Sequence, residues 1–525
     1  MSDAPLSLLH AVRAWLDADT DCEAVVHGDQ RLSYRALAAR ALALAETLRA
    51  RGIRPGDRVA VLLTPRPEAL VTLLATWLAG ATWLGINPRF KRPEQRQNLL
   101  DSGAKLLIAL SCVGKTDLSP DLDAHTAELG LDVMRVGAGL WDGALPPPVA
   151  EDTVPALWDA ALAGFDAAVP AVIIFTSGST GRPKGALITH RGLAFRSATL
   201  QRGRFAVPHV RQVLDLPVNH IGALASGIGV AFVAGGALVM HEQFDPGFTL
   251  RAIGTEGLHV LSGVPAMLDR IVAHPDFATA DLASLRYVSW GAGPINPRVL
   301  AALMERTGAE FSQQYGQTES NGPICYTPPT RDVDILLTTT GKPDPDLRLR
   351  IASDDGIAVP AGDEGEVQVL HPHPFAGYLG NPAASAQAFT ADGWLRTGDR
   401  ARLRDDGYLV FCGRSKEMFK SGGFNVYPRE VEIVLEEHPA IRAAAVIGVE
   451  DADWGQVGHA FVEADPVAPD AVLDWCRARL ANYKMPKHLT VLDRLPRTPV
   501  DKVDRMTLAA RAQAAAAARA EEGPA

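Results

Sequence analysis

A short run of glycines, hydroxyl residues and one lysine is the strongest chemical signal in this 525-residue sequence. Residues 176–185 read Thr-Ser-Gly-Ser-Thr-Gly-Arg-Pro-Lys-Gly and directly follow the apolar segment 171–175. The glycines let backbone N–H groups converge on an anion, the hydroxyls add donors, and Lys184 supplies positive charge. The spacing differs from the Walker motif, because Lys184 is followed by Gly185. These residues predict a phosphate-binding loop, with a flexible Gly/Ser turn as the alternative.

The loop and five further motifs resemble those of the adenylate-forming enzymes, which are acyl-CoA synthetases, luciferases and peptide-synthetase adenylation domains. The further motifs are Gly291-Ala-Gly-Pro294, Tyr315-Gly-Gln-Thr-Glu319, Gly393-Trp-Leu-Arg-Thr-Gly-Asp399, Gly413-Arg-Ser-Lys-Glu-Met-Phe-Lys420 and Pro496-Arg-Thr-Pro-Val-Asp-Lys502. They occur in the family's order and span nearly the whole chain. The resemblance to the acid:CoA ligase branch implies an enzyme that uses ATP to convert a carboxylic acid to its acyl-adenylate. The resemblance also implies that the acyl group is then transferred to coenzyme A.

The resemblance implies which residues bind the phosphates of ATP and which bind its adenine base. Phosphate binding is implied for Lys184, which would also act catalytically, and for Thr176, Ser177, Gly178, Ser179, Thr180 and Gly181. Base binding is implied for Gly291, Ala292, Gly293, Tyr315 and Gly316, and Thr318, beside Glu319, is a further cofactor-binding residue. An aromatic ring can stack on adenine, and glycine lets the backbone approach closely. Core packing is the alternative for the ring and the glycines.

Two carboxylates and an arginine are assigned to the ribose and the metal. Asp399 has two oxygens that can accept from adjacent ribose hydroxyls, and Arg414 would reach the same hydroxyls. Glu319 is a hard ligand suited to Mg²⁺ beside a triphosphate. The alternatives are a solvated turn aspartate for Asp399 and a plain surface glutamate for Glu319.

The last motifs are assigned to the two half-reactions. Lys502 would place a cation between the carboxylate and the α-phosphate, which repel each other. The family usually has Gly before this lysine, whereas this chain has Asp501, so the departure concerns the backbone of the loop. Lys416 would be the hinge on which a small domain rotates to exchange Lys502 for a thiol-delivery surface. That surface would contain Lys420, Ser421, Gly422 and Gly423. A solvated charge run and a tight turn are the alternatives.

The segment Leu216-Pro-Val-Asn-His-Ile-Gly222 resembles the one that brings a gating residue to the substrate carboxylate. It assigns His220 to catalysis and to the pocket wall, with a buried histidine of no special role as the alternative. Residues 218–230 contain no Asp to hold an ammonium group, so an apolar aryl, alicyclic or short to medium acyl acid is expected. The other pocket candidates are Ile221, Gly222, Trp290, Gln314 and Gly316. Strand alternation allows Trp290 to point into the core instead.

Alternating strands and helices must position these motifs. Strands are predicted at 58–63, 81–86 and 104–110, with helices at 68–78 and 93–102 between them. Further strands, each followed by a loop and a helical pattern, are predicted at 171–175, 212–216, 259–262 and 286–290. This rhythm predicts an α/β fold with a large N-terminal domain of βα-layered subdomains, residues 1–413. A small C-terminal α+β domain, residues 414–525, follows after a hinge and ends in an Ala-rich tail that is a frayed helix or disordered.

Composition restricts the classes of partner and location. The net charge of −10 has no basic tract, which argues against nucleic acid. The uncharged run Ile221–Met240 is as long as a membrane span, but it is interrupted by Gly235 and Gly236. We interpret it as a buried helix, a turn and a core strand. Scattered cysteines and an N-terminus unlike a signal peptide predict a cytoplasmic protein. A homodimer is compatible with these features.

Other functions remain as alternatives to the acid:CoA ligase. A stand-alone adenylating enzyme would pass the acyl group to an amine or to a carrier protein acting in trans, since the sequence ends soon after Lys502. A non-catalytic nucleotide-binding protein is a second alternative, against which Lys184, Glu319, Asp399 and Lys502 argue together. An oxidase of the luciferase kind is the third.

Overall fold

The computed structural model describes residues 4–17, 22–137, 141, 145–176, 183–414, 416–451, 453–498 and 501–522. The chain divides into two compact units. Unit 1 comprises Met1–Gly293, Val299–Arg348 and Val369–Leu395, and unit 2 comprises Pro294–Arg298, Leu349–Gln368 and Arg396–Ala525. The predicted boundary between residues 413 and 414 and the hinge at Lys416 stay predictions.

The elements are numbered in chain order. The strands are β1 (Glu23–His27), β2 (Gln30–Ser33), β3 (Arg58–Leu62), β4 (Thr82–Gly85), β5 (Leu106–Leu110), β6 (Cys112–Val113), β7 (Thr116–Asp117), β8 (Asp132–Val136), β9 (Pro170–Thr176), β10 (Lys184–Thr189), β11 (Arg211–Leu214), β12 (Ala237–Met240), β13 (Val260–Gly263), β14 (Tyr287–Gly291), β15 (Glu310–Gln317), β16 (Gly322–Tyr326), β17 (Lys342–Pro343), β18 (Arg348–Ala352), β19 (Glu364–Leu370), β20 (Leu395–Leu403), β21 (Leu409–Arg414), β22 (Phe419–Ser421), β23 (Phe424–Val426), β24 (Ile441–Asp451), β25 (Gly455–Ala464) and β26 (Pro486–Leu492). The helices are α1 (Leu8–Arg13), α2 (Tyr34–Ala50), α3 (Pro67–Leu78), α4 (Arg92–Ser102), α5 (Ser119–Leu129), α6 (Val154–Leu162), α7 (His190–Gly203), α8 (Val230–Ala234), α9 (Pro246–Glu256), α10 (Pro265–Val272), α11 (Pro297–Arg306), α12 (Val333–Thr338), α13 (Pro382–Gln387), α14 (Pro428–Glu436), α15 (Pro469–Arg477) and α16 (Arg505–Glu522).

Unit 1 is built on two sheets. One has the strand order β17-β16-β15-β14-β13-β11-β12-β1-β2, and the other β10-β9-β4-β3-β5-β8. In the first sheet, β11 to β15 pair in parallel. In the second sheet, β3, β4, β5, β8 and β9 also pair in parallel. Strand β5 is buried at every position, which is why its sequence is a continuous apolar run rather than an alternating one. The parallel α/β architecture predicted from the sequence is confirmed.

The predicted strands and helices of unit 1 are present, with one correction. Strands occur at the predicted segments 58–63, 81–86, 104–110, 171–175, 212–216, 259–262 and 286–290, and helices at 68–78 and 93–102. The expectation that a helix follows the loop after segment 171–175 is wrong. Strand β10 returns antiparallel to β9 before α7 begins, so the phosphate loop closes a hairpin. Strand β10 is the terminal strand of this sheet, and residues 376–379 form hydrogen bonds along it.

The uncharged run Ile221–Met240 is a folded core segment, as predicted. A π-helix covers Gly222–Gly229, α8 follows, Gly235 turns the chain with φ 62°, and β12 enters the nine-stranded sheet. A β-carbon on Gly229 would lie 1.9 Å from Ser197 Oγ on α7, so glycine permits this close helix packing. Among the described residues, no helix is both long enough and apolar enough to cross a membrane.

Unit 2 contains a four-stranded antiparallel sheet and a five-stranded sheet. The first has the order β18-β19-β20-β21, and the second has the order β23-β22-β25-β24 with β26 parallel to β25. One face of the second sheet packs with buried residues of α14 and α15, including Val431, Leu435 and Val472. Leu508 and Ala512 of α16 are fully buried in a second cluster. The small α+β fold is confirmed, and the Ala-rich tail is helical over α16.

Candidate active site

The predicted phosphate loop connects the two strands of a hairpin. Thr176 ends β9, Lys184 begins β10, and the two residues pair across the hairpin. The predicted phosphate-binding residues between them, Ser177, Gly178, Ser179, Thr180 and Gly181, lie outside the described residues. Nζ of Lys184 lies 5.2 Å from the centroid of the Tyr378 ring. The hairpin therefore brings a hydroxyl and an ammonium group together at the base of the loop.

Glu319 meets this hairpin from the nine-stranded sheet. It lies in a short 3₁₀ helix, Thr318–Ser320, that follows β15. Its Oε1 accepts a hydrogen bond from Tyr378 Oη (2.9 Å) and one from Thr176 Oγ1 (3.3 Å). Glu319 is therefore a positioned, half-buried carboxylate and not a plain surface glutamate. Its Oε2 makes no hydrogen bond within the described parts of the chain.

Tyr378 is a site residue that the sequence analysis missed. The segment around it runs along β10, with a bridge between Ala186 and Tyr378 and a bond from Leu379 N to the carbonyl of Gly185 (2.8 Å). Burial, and then the Glu319 carboxylate, raises the pKa of the Tyr378 hydroxyl above its usual value. The hydroxyl is thus a permanent donor at neutral pH. The pair Gly377-Tyr378 is the feature of the local sequence that could have indicated a site residue. No sequence spacing connects this pair with Glu319.

The predicted base-binding residues lie at the carboxyl ends of two neighbouring parallel strands. Gly291 ends β14, Ala292 has φ 70°, and Tyr315 is partly exposed near the end of β15. A β-carbon on Gly291 would lie 2.8 Å from Cγ of Gln314, and one on Gly316 would lie 2.3 Å from the carbonyl oxygen of Gly322. Close packing of neighbouring strands thus requires both glycines. Ligands of open α/β sheets bind outside this edge.

The predicted pocket residues His220 and Trp290 differ in their surroundings. The N–H of Gly222 donates to His220 Nδ1 (3.1 Å), so the other ring nitrogen carries the proton of the neutral imidazole. His220 is half-buried just before the π-helix. Trp290 is fully buried, and strand alternation puts it on the sheet face opposite to Gly291 and Gln314.

In unit 2, Asp399 and Arg414 face each other across an antiparallel pair of strands. The register of β20 and β21 pairs the two residues, and Arg414 Nε lies 3.1 Å from Asp399 Oδ1. The Asp399 side chain is 4% exposed and that of Arg414 56% exposed. Thr397 Oγ1 accepts from the Asp399 N–H (3.1 Å), and Gly398 turns the chain with φ 71°. The alternative of a solvated turn aspartate is wrong, because Asp399 is buried and paired.

Lys502 lies on a hairpin with an unusual backbone. The preceding Asp501 has φ 60°, a left-handed conformation that glycine adopts most easily. Arg497 Nη1 donates to the carbonyl of Asp501 (3.0 Å), and the Thr498 N–H donates to the carbonyl of Lys502 (2.7 Å). Asp501 therefore adopts a conformation that is also open to glycine, and the Lys502 side chain is exposed.

The predicted thiol-delivery surface is the turn between β22 and β23. Gly422 has φ 56° and Gly423 has φ 84°, which is the geometry of a tight hairpin turn. Ser421 is buried, and its Oγ has no hydrogen-bond partner among the described residues. Lys416 and Lys420 are exposed. The tight turn explains both glycines by local geometry and leaves a route for backbone contact with a ligand.

Models of two protein families match this chain. The AMP-binding enzyme model matches residues 12–379, and the model of the AMP-binding enzyme C-terminal domain matches residues 430–502. The chain belongs to the AMP-binding enzyme family. The first match contains the Thr176, Glu319 and Tyr378 cluster, and the second ends at Lys502.

Curated relatives of this AMP-binding enzyme include several CoA ligases. A feruloyl-CoA synthase of Amycolatopsis sp is 37% identical over 91% of this chain and 94% of the relative. An indoleacetate–CoA ligase of Aromatoleum aromaticum is 35% identical over 93% of this chain and 96% of the relative. The predicted family and the AMP-forming acid:CoA ligase activity are confirmed. The family match and these relatives agree with the prediction that ATP and CoA are substrates.

A solved structure with a different acceptor is also similar. The amide bond synthetase McbA from Marinactinospora thermotolerans is 28% identical, with a TM-score of 0.84 over 96% of this chain and all of that chain. The overall fold is thus shared by enzymes whose names specify CoA ligation and by one whose name specifies amide formation.

Proposed function

We propose that this enzyme converts a small apolar carboxylic acid to its acyl-adenylate and then to acyl-CoA, with aromatic acids as the favoured class. A carboxylate oxygen forms a bond to the α-phosphorus of ATP, and pyrophosphate leaves. The CoA sulfur then bonds to the acyl carbon, and AMP leaves. The observation that carries the proposal is the meeting of Thr176, Lys184, Glu319 and Tyr378 at the base of the phosphate loop.

The phosphate end of the site would combine Lys184 with Glu319. Lys184 supplies positive charge where the phosphates would lie, and the loop residues 177–181 add backbone donors. The free Oε2 of Glu319 is a hard oxygen suited to Mg²⁺, which proteins commonly hold through one or two carboxylates and substrate phosphates. When bound, the ion would neutralise phosphate charge. Tyr378 and Thr176 orient the carboxylate by donating to its other oxygen.

The ribose and the adenine base of ATP have separate proposed binding residues. Asp399 can accept from the ribose hydroxyls, and Arg414 can donate to them. Tyr315, partly exposed at the end of β15, is the proposed stacking partner of adenine.

Lys502 would stabilise the first half-reaction, and residues 420–423 the second. Lys502 is exposed on a hairpin whose backbone is fixed by local bonds, which suits a cation that must reach and leave the reacting atoms. We place the hinge at Lys416 and the boundary between residues 413 and 414. His220, protonated on the nitrogen away from Gly222, would contact the substrate carboxylate as a donor.

The test is acid-dependent AMP release from ATP and Mg²⁺ across aryl, alicyclic, linear and amino acids, with and without CoA. We expect turnover on aryl acids to depend on CoA and to give the acyl-CoA. AMP release without acyl-CoA, or no release with any acid, would contradict the proposal.

Amide formation is the second candidate, favoured by the similarity to McbA. Replacing CoA with a panel of primary amines distinguishes the two reactions. An amide product formed faster than acyl-CoA at equal acceptor concentration would establish the amide-forming reaction instead.

A further inference from the structure

Arg204 is a buried charge without a carboxylate partner. It follows the last residue of α7, is 1% exposed, and donates only to neutral oxygens of β14 and β15. Its Nε donates to Ser312 Oγ (2.9 Å), its Nη2 to the Ser312 carbonyl (2.9 Å) and to Ser289 Oγ, and its Nη1 to Gln314 Oε1. Burial lowers the pKa of Arg204 to about 9.

A second buried arginine on α7 provides the contrast. Arg196 is fully buried and forms an ion pair with Asp344 at 3.2 Å, although its guanidinium nitrogens have no hydrogen-bond partner among the described residues. Arg204 has no ion pair among the residues that the structure describes. A buried unneutralised cation is costly, so its contacts indicate a purpose beyond joining α7 to the sheet.

The bond from Arg204 fixes which end of the Gln314 amide faces the inside of unit 1. Arginine has donors only, so the carbonyl oxygen of Gln314 must face it. The amide nitrogen Nε2 and its two hydrogens therefore point away from Arg204. A β-carbon built on Gly291 would lie 3.2 Å from this nitrogen, and Nε2 has no hydrogen-bond partner within the described parts of the chain.

The amide NH2 group of Gln314 lies at the edge of the sheet to which the sequence analysis assigned the acid pocket. Gly291 opens the Gly291–Gly293 motif, and Gln314 immediately precedes Tyr315, so the nitrogen is at the carboxyl ends of β14 and β15. Gln314 is partly exposed, whereas Ser289 and Ser312 behind it are fully buried. A donor is thus presented at this edge, with a cation behind it that polarises the amide.

We propose that Gln314, oriented by Arg204, presents an N–H donor in the acid pocket and that the preferred acid carries a distal hydroxyl, ether or carbonyl oxygen that accepts from it. The inference rests on the proposed function and narrows its substrate class. Gln314 is the specificity-determining residue, and Arg204 is a positioning residue that acts through it. The pocket is then apolar along its length and polar at one end.

The experiment compares matched acids that differ by one oxygen. Benzoic and 4-hydroxybenzoic acid, phenylacetic and 4-hydroxyphenylacetic acid, and 3-phenylpropenoic acid and its 4-hydroxy and 4-methoxy derivatives are assayed by CoA-dependent AMP release. The measured quantity is the ratio of kcat/KM for the oxygen-bearing acid to that for its parent. We expect at least one skeleton to show a ratio well above one in the wild type.

Gln314→Leu should lower this ratio about tenfold, the effect of losing one hydrogen bond in a partly buried site. Gln314→Glu keeps an acceptor for Arg204 but has no donor, and should lower the ratio as much or more. Arg204→Met should lower it because the amide is no longer oriented, and Arg204→Lys should restore part of it. Arg196→Met is the matched control: it removes a buried cation from the same helix and should reduce thermal stability without changing the ratio.

An unchanged ratio in both Gln314 variants would overturn the inference even if Arg204→Met fails to fold. An equal fall in Arg196→Met would also overturn it, since general loosening of α7 would then explain the effect. If the wild type forms no acyl-CoA from any acid, the proposed function fails, and this inference fails with it.

Discussion

Glu319 and Lys502 are assigned to the same overall reaction, but the chain positions them in opposite ways. Glu319 is half-buried, and its Oε1 accepts from Thr176 and Tyr378, which come from two other segments of unit 1. Lys502 is exposed, and the bonds that shape its backbone come from Arg497 and Thr498, within five residues along the chain. The proposed metal-binding carboxylate is thus positioned by tertiary contacts, and the backbone that carries the proposed catalytic lysine is shaped by bonds within its own loop.

This contrast has a physical reason. A carboxylate that holds a charged ligand through the whole cycle gains from rigidity, because it must not reorganise as charge moves. A cation required in only one half-reaction must leave afterwards, so long-range bonds would oppose its movement. The predictions below test each side of the comparison.

Lys502→Ala should have the largest effect. We expect ATP–pyrophosphate exchange to fall by about 100-fold to 1000-fold, as when one transition-state donor is lost. Acyl-CoA formation from a supplied acyl-adenylate should be largely preserved. Lys115→Ala, at an exposed turn lysine outside every motif, is the control and should affect neither reaction. Equal losses in both half-reactions would show that Lys502 does not have the assigned role.

Glu319→Gln should reduce overall activity by about 100-fold through the loss of a metal-binding charge. The remaining amide oxygen can still accept from Tyr378 and Thr176, so the folded structure should persist. The diagnostic measurement is the Mg²⁺ concentration for half-maximal activity, which should rise. A normal Mg²⁺ dependence with low activity would point to a role in phosphate geometry instead.

Two variants of Asp501 test whether adenylation depends more on the backbone conformation of the loop or on the charge of the Asp501 carboxylate. Asp501→Val places a β-branched residue at φ 60° and should lower adenylation about tenfold, because the left-handed conformation costs such a residue more than 1 kcal/mol. Asp501→Gly should retain adenylation, since glycine adopts this conformation freely. Thioester formation from acyl-adenylate should be unaffected in both variants. Loss of adenylation in the glycine variant would show that the Asp501 carboxylate itself is needed.

Tyr378→Phe should have the smallest effect. It removes one donor to Glu319 and leaves Thr176, so activity should fall about threefold to tenfold and unfolding free energy by about 1 kcal/mol. The double variant with Glu319→Gln should be no worse than Glu319→Gln alone if Tyr378 acts through Glu319. Additive losses measured by kcat/KM would mean that Tyr378 contacts the substrate independently.

The sequence was most informative where chemistry and local pattern coincide. The apolar runs of β3 and β5 predicted these strands correctly. A strand that is covered on both faces carries apolar residues at consecutive positions, and such a run is visible in the sequence. The motif that ends at Asp399 was recognised, but the strand β20 in which Asp399 lies was not predicted. The prediction of a helix directly after the loop that follows β9 was wrong, because a Gly-rich loop can lead either into a helix or back into an antiparallel strand.

What the sequence by itself determined about this protein is its family, its reaction class and the residue types at each end of the site, since these follow from motifs that are local in the chain. Only the tertiary structure decided which distant side chains meet. Tyr378 reaches Glu319 across 59 positions, and Arg204 reaches Gln314 across 110. Strand order and register set such contacts, and they result from packing the whole unit rather than from any one segment. The sequence analysis named Gln314 as a pocket candidate, but the contact of Gln314 with the buried charge of Arg204 could not be predicted from it.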